Sequence, residues 1–353
     1  MTTTGSARYH NVLKDIGPRI VIVEEAAEVL ESHIITSLSK HTEHLILIGD
    51  HHQLKPKNNV YELERNYNMN ISLFERLINN KFDYVTLSRQ HRMRPEISCL
   101  MKHFYETKIE DHESVLKREH ILGVKQDIAF INHSILEDNL GDDENRSKVN
   151  KYEGRYLVKL AKFFIRQHYE TSQITILATY SGQTTFIQHE LKRENVKGIR
   201  VCTVDNFQGE ESHIILLSLV RSNLVKSIGF LSTENRVCVA FSRARDGFFC
   251  IGNFNLLKDS KSKSNWKAII KDMKEKNYIH NGLHLSCGHH PQNDLLATKP
   301  EDFDKRPEGG CLLNCDFYLK CGHRCPRSSH LFDLEPKNIK CIQFCKKTIG
   351  MRA

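Results

Sequence analysis

Up to about residue 275 the chain alternates two hydrophobic patterns. Short apolar runs predict strands over Arg19–Val23, His44–Ile48, Phe82–Leu87, Asp127–Asn132, Gln173–Ala178, Ile199–Thr203, His213–Leu219 and Phe248–Ile251. Most are continuous, as in "HIILLSL", which is expected of parallel strands buried on both faces. Between them lie helical patterns such as "MRPEISCLMKHFY", "EGRYLVKLAKFFIRQHYE" and "TTFIQHELKREN". Strands alternating with helices of this length imply βαβ units, and therefore an α/β fold with a doubly wound parallel sheet. The acidic stretch "LEDNLGDDENRSKVN" (Leu136–Asn150) reads as a surface loop.

The 353 residues suffice for two domains and a small appendage. No apolar run approaches the roughly 18 residues of a membrane helix, and "MTTTGSARYH" has no apolar signal region, so a cytosolic or nuclear address is expected. The net charge of +8 favours polyanionic partners such as nucleic acid. Four of the eleven cysteines, Cys99, Cys202, Cys238 and Cys250, are scattered. The remainder fall between Cys287 and Cys345 among histidines, and in a reducing compartment such clustering predicts metal ligation rather than disulfides. This shift in composition places a domain boundary near Lys276–His284.

In open α/β sheets, ligands bind at the carboxyl ends of the strands. The first strand runs into Glu24–Glu25, which reads either as a metal and water site or as the acidic first turn of a helix. "GDHHQL" follows the second strand and brings Asp50 and Gln53 to the crevice. "SRQHRMRPE" offers Arg89, Arg92 and Arg94, and "ILATYSGQ" ends at Thr179, Tyr180 and Gln183. "VCTVDNFQGEES" places Thr203, Asp205, Gln208, Gly209 and Glu210 at another strand end, and "VCVAFSRARDG" adds Arg243 and Arg245. A nucleoside triphosphate needs this set of groups. One carboxylate holds Mg²⁺ and a second deprotonates water, a glutamine senses the γ-phosphate, and guanidinium groups neutralise transition-state charge.

In order and wording these segments resemble the Upf-type superfamily 1 helicases, with "VEEAAE", "GDHHQL", "QHRMRPEI", "VDNFQGEE" and "VAFSRAR" matching motifs II to VI. A closer resemblance, from "MTTTGSARY" through the cysteine-rich tail, is to the NFX-type zinc-finger-containing helicase-like family. The resemblance implies RecA-like sheets: part of a first domain over 1–85, a complete second domain over 86–276, and an NFX-type zinc-finger region over 283–353. It further implies that Glu24 coordinates Mg²⁺, Glu25 is the general base and Gln53 couples the γ-phosphate to the nucleic-acid site. Arg92 and Arg243 would be the arginine fingers, and Asp50, Gly209, Glu210 and Arg245 would face the ATP. Thr179, Tyr180, Thr203 and Asp205 occupy positions that would contact single-stranded nucleic acid, although Tyr180 also reads as a turn residue packed on the sheet. The resemblance favours RNA, but the residues do not separate it from DNA.

Two departures qualify the resemblance. No "GxxxxGK[ST]" occurs in these 353 residues, so no loop of that kind cradles the β- and γ-phosphates. The chain is thus expected to be the C-terminal part of a longer helicase, with half an ATP site and no turnover by itself. His91 also stands where these enzymes often carry tyrosine, and Cys238 where asparagine is common.

In the tail, "SCGHHP", "GGCLLNCDFYLKCGHRCPRSSH" and "CIQFC" supply Cys and His at spacings that suit tetrahedral Zn²⁺. By resemblance the zinc ligands are Cys311, Cys315, Cys321, His323, Cys325, His330, Cys341 and Cys345, with Cys287 and His290 in the preceding segment. Ser329 stands where cysteine is usual and Pro336 where histidine occurs, so one centre is expected to be incomplete or to recruit a substitute such as His289. The leading expectation is an ATP-dependent RNA helicase or RNA-stimulated ATPase with a zinc-binding tail, acting in the cytoplasm in RNA surveillance, small-RNA silencing or antiviral defence. The alternative is a fragment without activity that binds RNA or protein partners.

Overall fold

β-branched apolar runs form the strands of the computed structural model, which describes residues 7–58, 60–138, 147–260, 264–330, 339 and 341–342. Most of the loop expected at Leu136–Asn150 lies outside the described residues, as do Cys345 and Pro336.

Two strands, β1 (Ile20–Val23) and β2 (His44–Leu47), pair in parallel with Val23 opposite Leu47. Their inner face carries Val21, Val23, Leu45 and Leu47, which pack on Ile34, Leu73, Phe74 and Leu77. The expectation of burial on both faces fails here: Ile20, Ile22, Ile46 and Ile48 on the opposite face are 46–63% exposed. The Phe82–Leu87 strand is likewise absent. No ladder partner lies beside that run, and Val85 and Leu87 are each 90% exposed. Only β3 (Arg89–Gln90) just beyond it pairs, in parallel with β4 (Glu110–Asp111).

The main sheet is parallel throughout. It holds β5 (Ile128–Asn132), β6 (Ile174–Ala178), β7 (Arg200–Thr203), β8 (Ser212–Ser218), β9 (Ala244–Gly252) and β10 (Ile279–His280) in the order β10-β5-β9-β8-β6-β7. The two-residue alternation of a strand sorts its side chains between two cores. Phe130, Leu177, Ile215, Leu217 and Phe248 join the helices at Glu234–Phe241, Phe254–Asp259 and Trp266–Glu275. Ile131, Ile176, Ile214, Leu216 and Phe249 face the helices Lys151–Arg166 and Ser181–Arg193. Helices on both faces make the sheet doubly wound, so the strand ends carry the exposed chemistry. No helix among the described residues is long and apolar enough to cross a membrane.

The composition shift at Lys276–His284 is not a break in packing. A hairpin of β11 (Leu283–Leu285) and β12 (Leu295–Ala297) places Leu283, Leu285 and Ala297 in the second core, and Phe303 joins them. Tyr156 in the long helix donates its hydroxyl to Ala297 O at 2.7 Å, and Gln167 Nε2 donates to Gly309 O at 2.7 Å. The cysteine-rich segment is therefore seated on the Lys151–Arg166 helix. Beyond it β13 (Gly309–Asn314) pairs antiparallel with β14 (Ser328–His330).

Candidate nucleotide cleft and metal centres

The turn after β1 answers the question posed by Glu24–Glu25. Residues 24–28 form turns and the next helix starts only at Glu31, so the two carboxylates do not belong to a helix. Glu25 has φ 51°, a left-handed backbone unusual for a side chain with a Cβ. Ala26 N donates to Ile48 O at 2.9 Å, which ties this turn to the end of β2. Gly49 is required there, because a Cβ on it would lie 2.9 Å from Ala27 N. Glu24 is exposed, while Glu25 is half-buried and accepts from Gln208 Nε2 at 3.2 Å. Gly209 (φ 77°) follows, and a Cβ there would stand 3.7 Å from Glu25 Oε1. The end of β1 thus meets the turn before β8.

A second connection runs through Asp50. Its carboxylate accepts from His52 N at 2.9 Å, Gln53 Nε2 at 2.8 Å and the Tyr105 hydroxyl at 2.5 Å. Tyr105 OH in turn accepts from Cys238 Sγ at 3.4 Å. Burial pushes the Cys238 thiol up to about 12, and Cys238 is fully enclosed. Gln53 Oε1 accepts from Arg243 Nη2 at 2.9 Å, and Asn235 Nδ2 donates to the carbonyls of His51 and Gln53. The loop after β2 is therefore fastened to the helix that leads into β9.

Arg243 is 1% exposed and also donates to Val239 O (3.0 Å) and Ser242 Oγ (2.8 Å from Nη2). Among the described residues no carboxylate oxygen lies within 4.0 Å of it. Burial, with repulsion from Arg92, pulls its guanidinium down to about 10, so it remains charged at neutral pH. A buried cation without a counter-charge is costly, and an anion entering beside it would relieve that cost. Arg92, by contrast, is already paired: its Nε donates to Glu211 Oε2 at 2.5 Å, and Arg245 Nη1 shares the other oxygen at 3.2 Å. Gln53, Arg92, Tyr105, Glu211, Ser242 and Arg243 line one cleft of about 480 Å³, and a stack of His91 on His112, rings 4.0 Å apart, stands at its edge.

Glu211 was not among the sequence candidates. Glu210, which was, pairs with Arg200 through both oxygens. The signal was the adjacent pair in "QGEES", where consecutive residues of an extended chain point opposite ways. Arg94 is buried against Asp127 at 2.8 Å and serves the packing of the domain.

The nucleic-acid candidates lie along the strand ends with differing access. Thr179 Oγ1 donates to Leu219 O at 3.0 Å. Tyr180 is buried, its ring 5.0 Å from Phe230 and its hydroxyl accepting from Arg221 and Phe230 N at 3.3 Å. Phe230 is the more exposed ring at 48%, with the Arg236 guanidinium 4.5 Å from its centroid. Thr203 is half-buried. Asp205 accepts from Arg236 at 2.9 and 3.1 Å and meets Lys57 at 3.4 Å. A groove of about 790 Å³ beside the helices Phe254–Asp259 and Trp266–Glu275 is lined by Lys226, Lys258, Lys267, Lys271 and Lys274 together with Asp259 and Glu275.

Among the described residues the tail gathers three groups of metal-ligating atoms: Cys287, His290 and Cys311; Cys315, Cys325 and His330; Cys321, His323 and Cys341. The sulfur-to-nitrogen distances within them are 3.3–3.7 Å. A zinc tetrahedron with its usual bond lengths has such edges of about 3.6 Å, so the donor sets fit Zn²⁺. Cys345 lies outside the described residues. His289 is in none of the groups, and its ring faces Phe317 at 5.6 Å.

Comparison with known proteins fits this geometry. AAA domain family models match residues 69–255 and 1–57. NFX1-type zinc finger-containing protein 1 of Homo sapiens is 48% identical over 350 residues, which is 99% of this chain and 18% of that protein. Its Caenorhabditis elegans homolog is 38% identical, over 98% of this chain and 14% of that protein. The Schizosaccharomyces pombe helicase required for RNAi-mediated heterochromatin assembly 1 is 41% identical, over 81% of this chain and 28% of that protein. The chain spans less than a third of the length of each of these relatives. It belongs to the AAA domain family, as a helicase-like chain of the superfamily 1 type.

Proposed function

We propose that this chain forms the water-activating and arginine-bearing side of an ATP site in an RNA-dependent superfamily 1 helicase. The observation that carries the reading is Arg243, a buried guanidinium that faces a cleft with no carboxylate partner among the described residues. A γ-phosphate supplies the missing charge, and Gln53, bonded to both Arg243 and Asp50, reports its presence to the loop after β2. Arg92 and Arg245 join by leaving Glu211. Glu25, oriented by Gln208, takes the proton of the attacking water. Glu24 would hold Mg²⁺, which when bound offsets the charge of the phosphates.

The phosphate-cradling loop is not among the 353 residues, and the reading assigns it to another segment or chain. Single-stranded RNA would lie over the strand ends near Thr179, Thr203 and Phe230, with the lysine groove as a flanking contact to its backbone. Zn²⁺ would hold the tail in place against the Lys151–Arg166 helix. The name of one relative, a helicase required for RNAi-mediated heterochromatin assembly, supports a setting in RNA silencing; RNA surveillance or antiviral defence in the cytoplasm would be alternative settings.

The test is ATP hydrolysis by this chain with and without single-stranded RNA, beside Glu25→Gln. The reading expects no turnover above the variant from this chain alone. It expects RNA-stimulated turnover, lost in Glu25→Gln, once a phosphate-loop segment of a relative is joined ahead of it. A joined protein that stays inactive while binding ATP overturns the reading.

A further inference from the structure

The first metal group differs from the others in what stands beside it. Ser329 Oγ lies 3.2 Å from Cys287 Sγ, and Ser329 is 1% exposed. The pairing of β13 with β14 puts it there, since β13 carries Cys311 and β14 carries Ser329. Like the other two groups, this one holds three Cys or His ligands among the described residues, so Ser329 is what sets it apart. Asp316 approaches from the far side: its Oδ2 is 3.4 Å from His290 Nε2, while His290 Nδ1 faces the two sulfurs. It therefore orients the imidazole and does not complete the group. Asn293 Nδ2 lies 3.7 Å from Cys311 Sγ and donates to it.

We propose that Ser329 stands at the fourth corner of this centre and leaves that corner open to exchange, so that an added thiol or imidazole can bind the metal. The proposal rests on reading the three groups as zinc sites. Zn²⁺ with two thiolates and one neutral imidazole carries no net charge, and a neutral hydroxyl keeps it so, whereas a third thiolate would leave a buried negative charge. Cys287 and Cys311 are both buried, so neutrality lowers the cost of enclosing the ion. The same neutrality weakens the fourth bond, because a hydroxyl is a poorer zinc donor than a thiolate. Three protein ligands with one exchangeable position are the coordination of reactive zinc sites, whereas structural sites are closed by four.

The test uses the full zinc-loaded chain, measuring zinc per chain and the rate of its release to a coloured chelator, with Co²⁺ substitution as a second readout. Ser329→Cys is expected to slow the fastest-leaving zinc at least about tenfold, the scale that even outer-shell changes reach. It should also raise the thiolate-to-cobalt charge-transfer band by one thiolate, while Ser329→Ala leaves that band unchanged. Added imidazole should shift the visible bands of the cobalt-loaded wild-type chain, a readout that stands even where Ser329→Cys fails to fold. Unchanged release and unchanged bands in Ser329→Cys, or no response to imidazole, overturn the proposal. A wild-type chain that binds no zinc overturns the metal reading itself.

Discussion

Arg243 Nη2 donates to Gln53 Oε1 at 2.9 Å, joining the segment after β2 to the segment before β9 across 190 residues. The bond holds together the two halves of the proposed phosphate cleft, and it fixes a guanidinium that is otherwise surrounded by carbonyl and hydroxyl oxygens. Gln53→Ala removes that acceptor and leaves a buried donor unsatisfied. The expected loss is about 1–3 kcal/mol, read as a lower urea midpoint with an unchanged slope.

Asp205 links acid stability to the same region. Burial alone would raise its carboxyl, but Arg236 outweighs that and, with Lys57, holds it below the usual carboxylate range. A carboxyl lowered in the folded state adds stability that is present above its unfolded value of about 3.9 and is lost as pH falls through the lower folded value. Asp205→Asn should therefore be less stable than wild type from pH 5 to 7 by a constant margin. The gap in urea midpoint should close below about pH 4.

Removing metal should act locally. Without ions, the apolar packing within the described tail beyond residue 306 is a small cluster of Cys315, Leu319 and Cys325 with a few half-buried neighbours. Chelation is expected to abolish amide protection in β13 and β14 while that of β5, β6, β8 and β9 persists. The hairpin of β11 and β12 should keep its protection, since its leucines sit in the second core. Hydrogen exchange with and without chelator reads both effects.

The outer face of β1 and β2 presents four isoleucines to solvent. Such a face on a short parallel pair favours association between chains. Ile22→Lys with Ile46→Lys should shift the chain toward monomer in light scattering, with no change in the near-ultraviolet signal of Trp266, buried against the six-stranded sheet.

Much of this was legible in the residues. The apolar runs of β5, β6, β8 and β9 read as strands because both faces are buried, and the ends of β1, β2, β6 and β7 carry candidate groups as expected. Arg243 and Arg245 instead follow a helix, Glu234–Phe241, and stand at the start of β9. The Phe82–Leu87 run looked the same but found no ladder partner, and an apolar run alone cannot say whether a neighbour exists. Periodicity also could not show that Glu211 holds Arg92 and Arg245, since that contact is set by a junction between a turn and a strand. In the tail, ligand spacing suggested zinc, but which ligands share a centre, such as Cys311 with the distant Cys287 and His290, is set by the fold and not by spacing.

The most direct measurement is equilibrium binding of ATP with Mg²⁺ to the full chain, with Arg243→Lys and Arg243→Ala alongside. The account predicts weak, saturable binding by wild type. It predicts a loss of at least about tenfold in Arg243→Lys, which keeps the charge but not the fork, corresponding to about 1.4 kcal/mol. Arg243→Ala should bind no ATP, with circular dichroism confirming that both variants are folded. Equal ATP affinity in all three folded proteins would contradict the claim that Arg243 faces the phosphates.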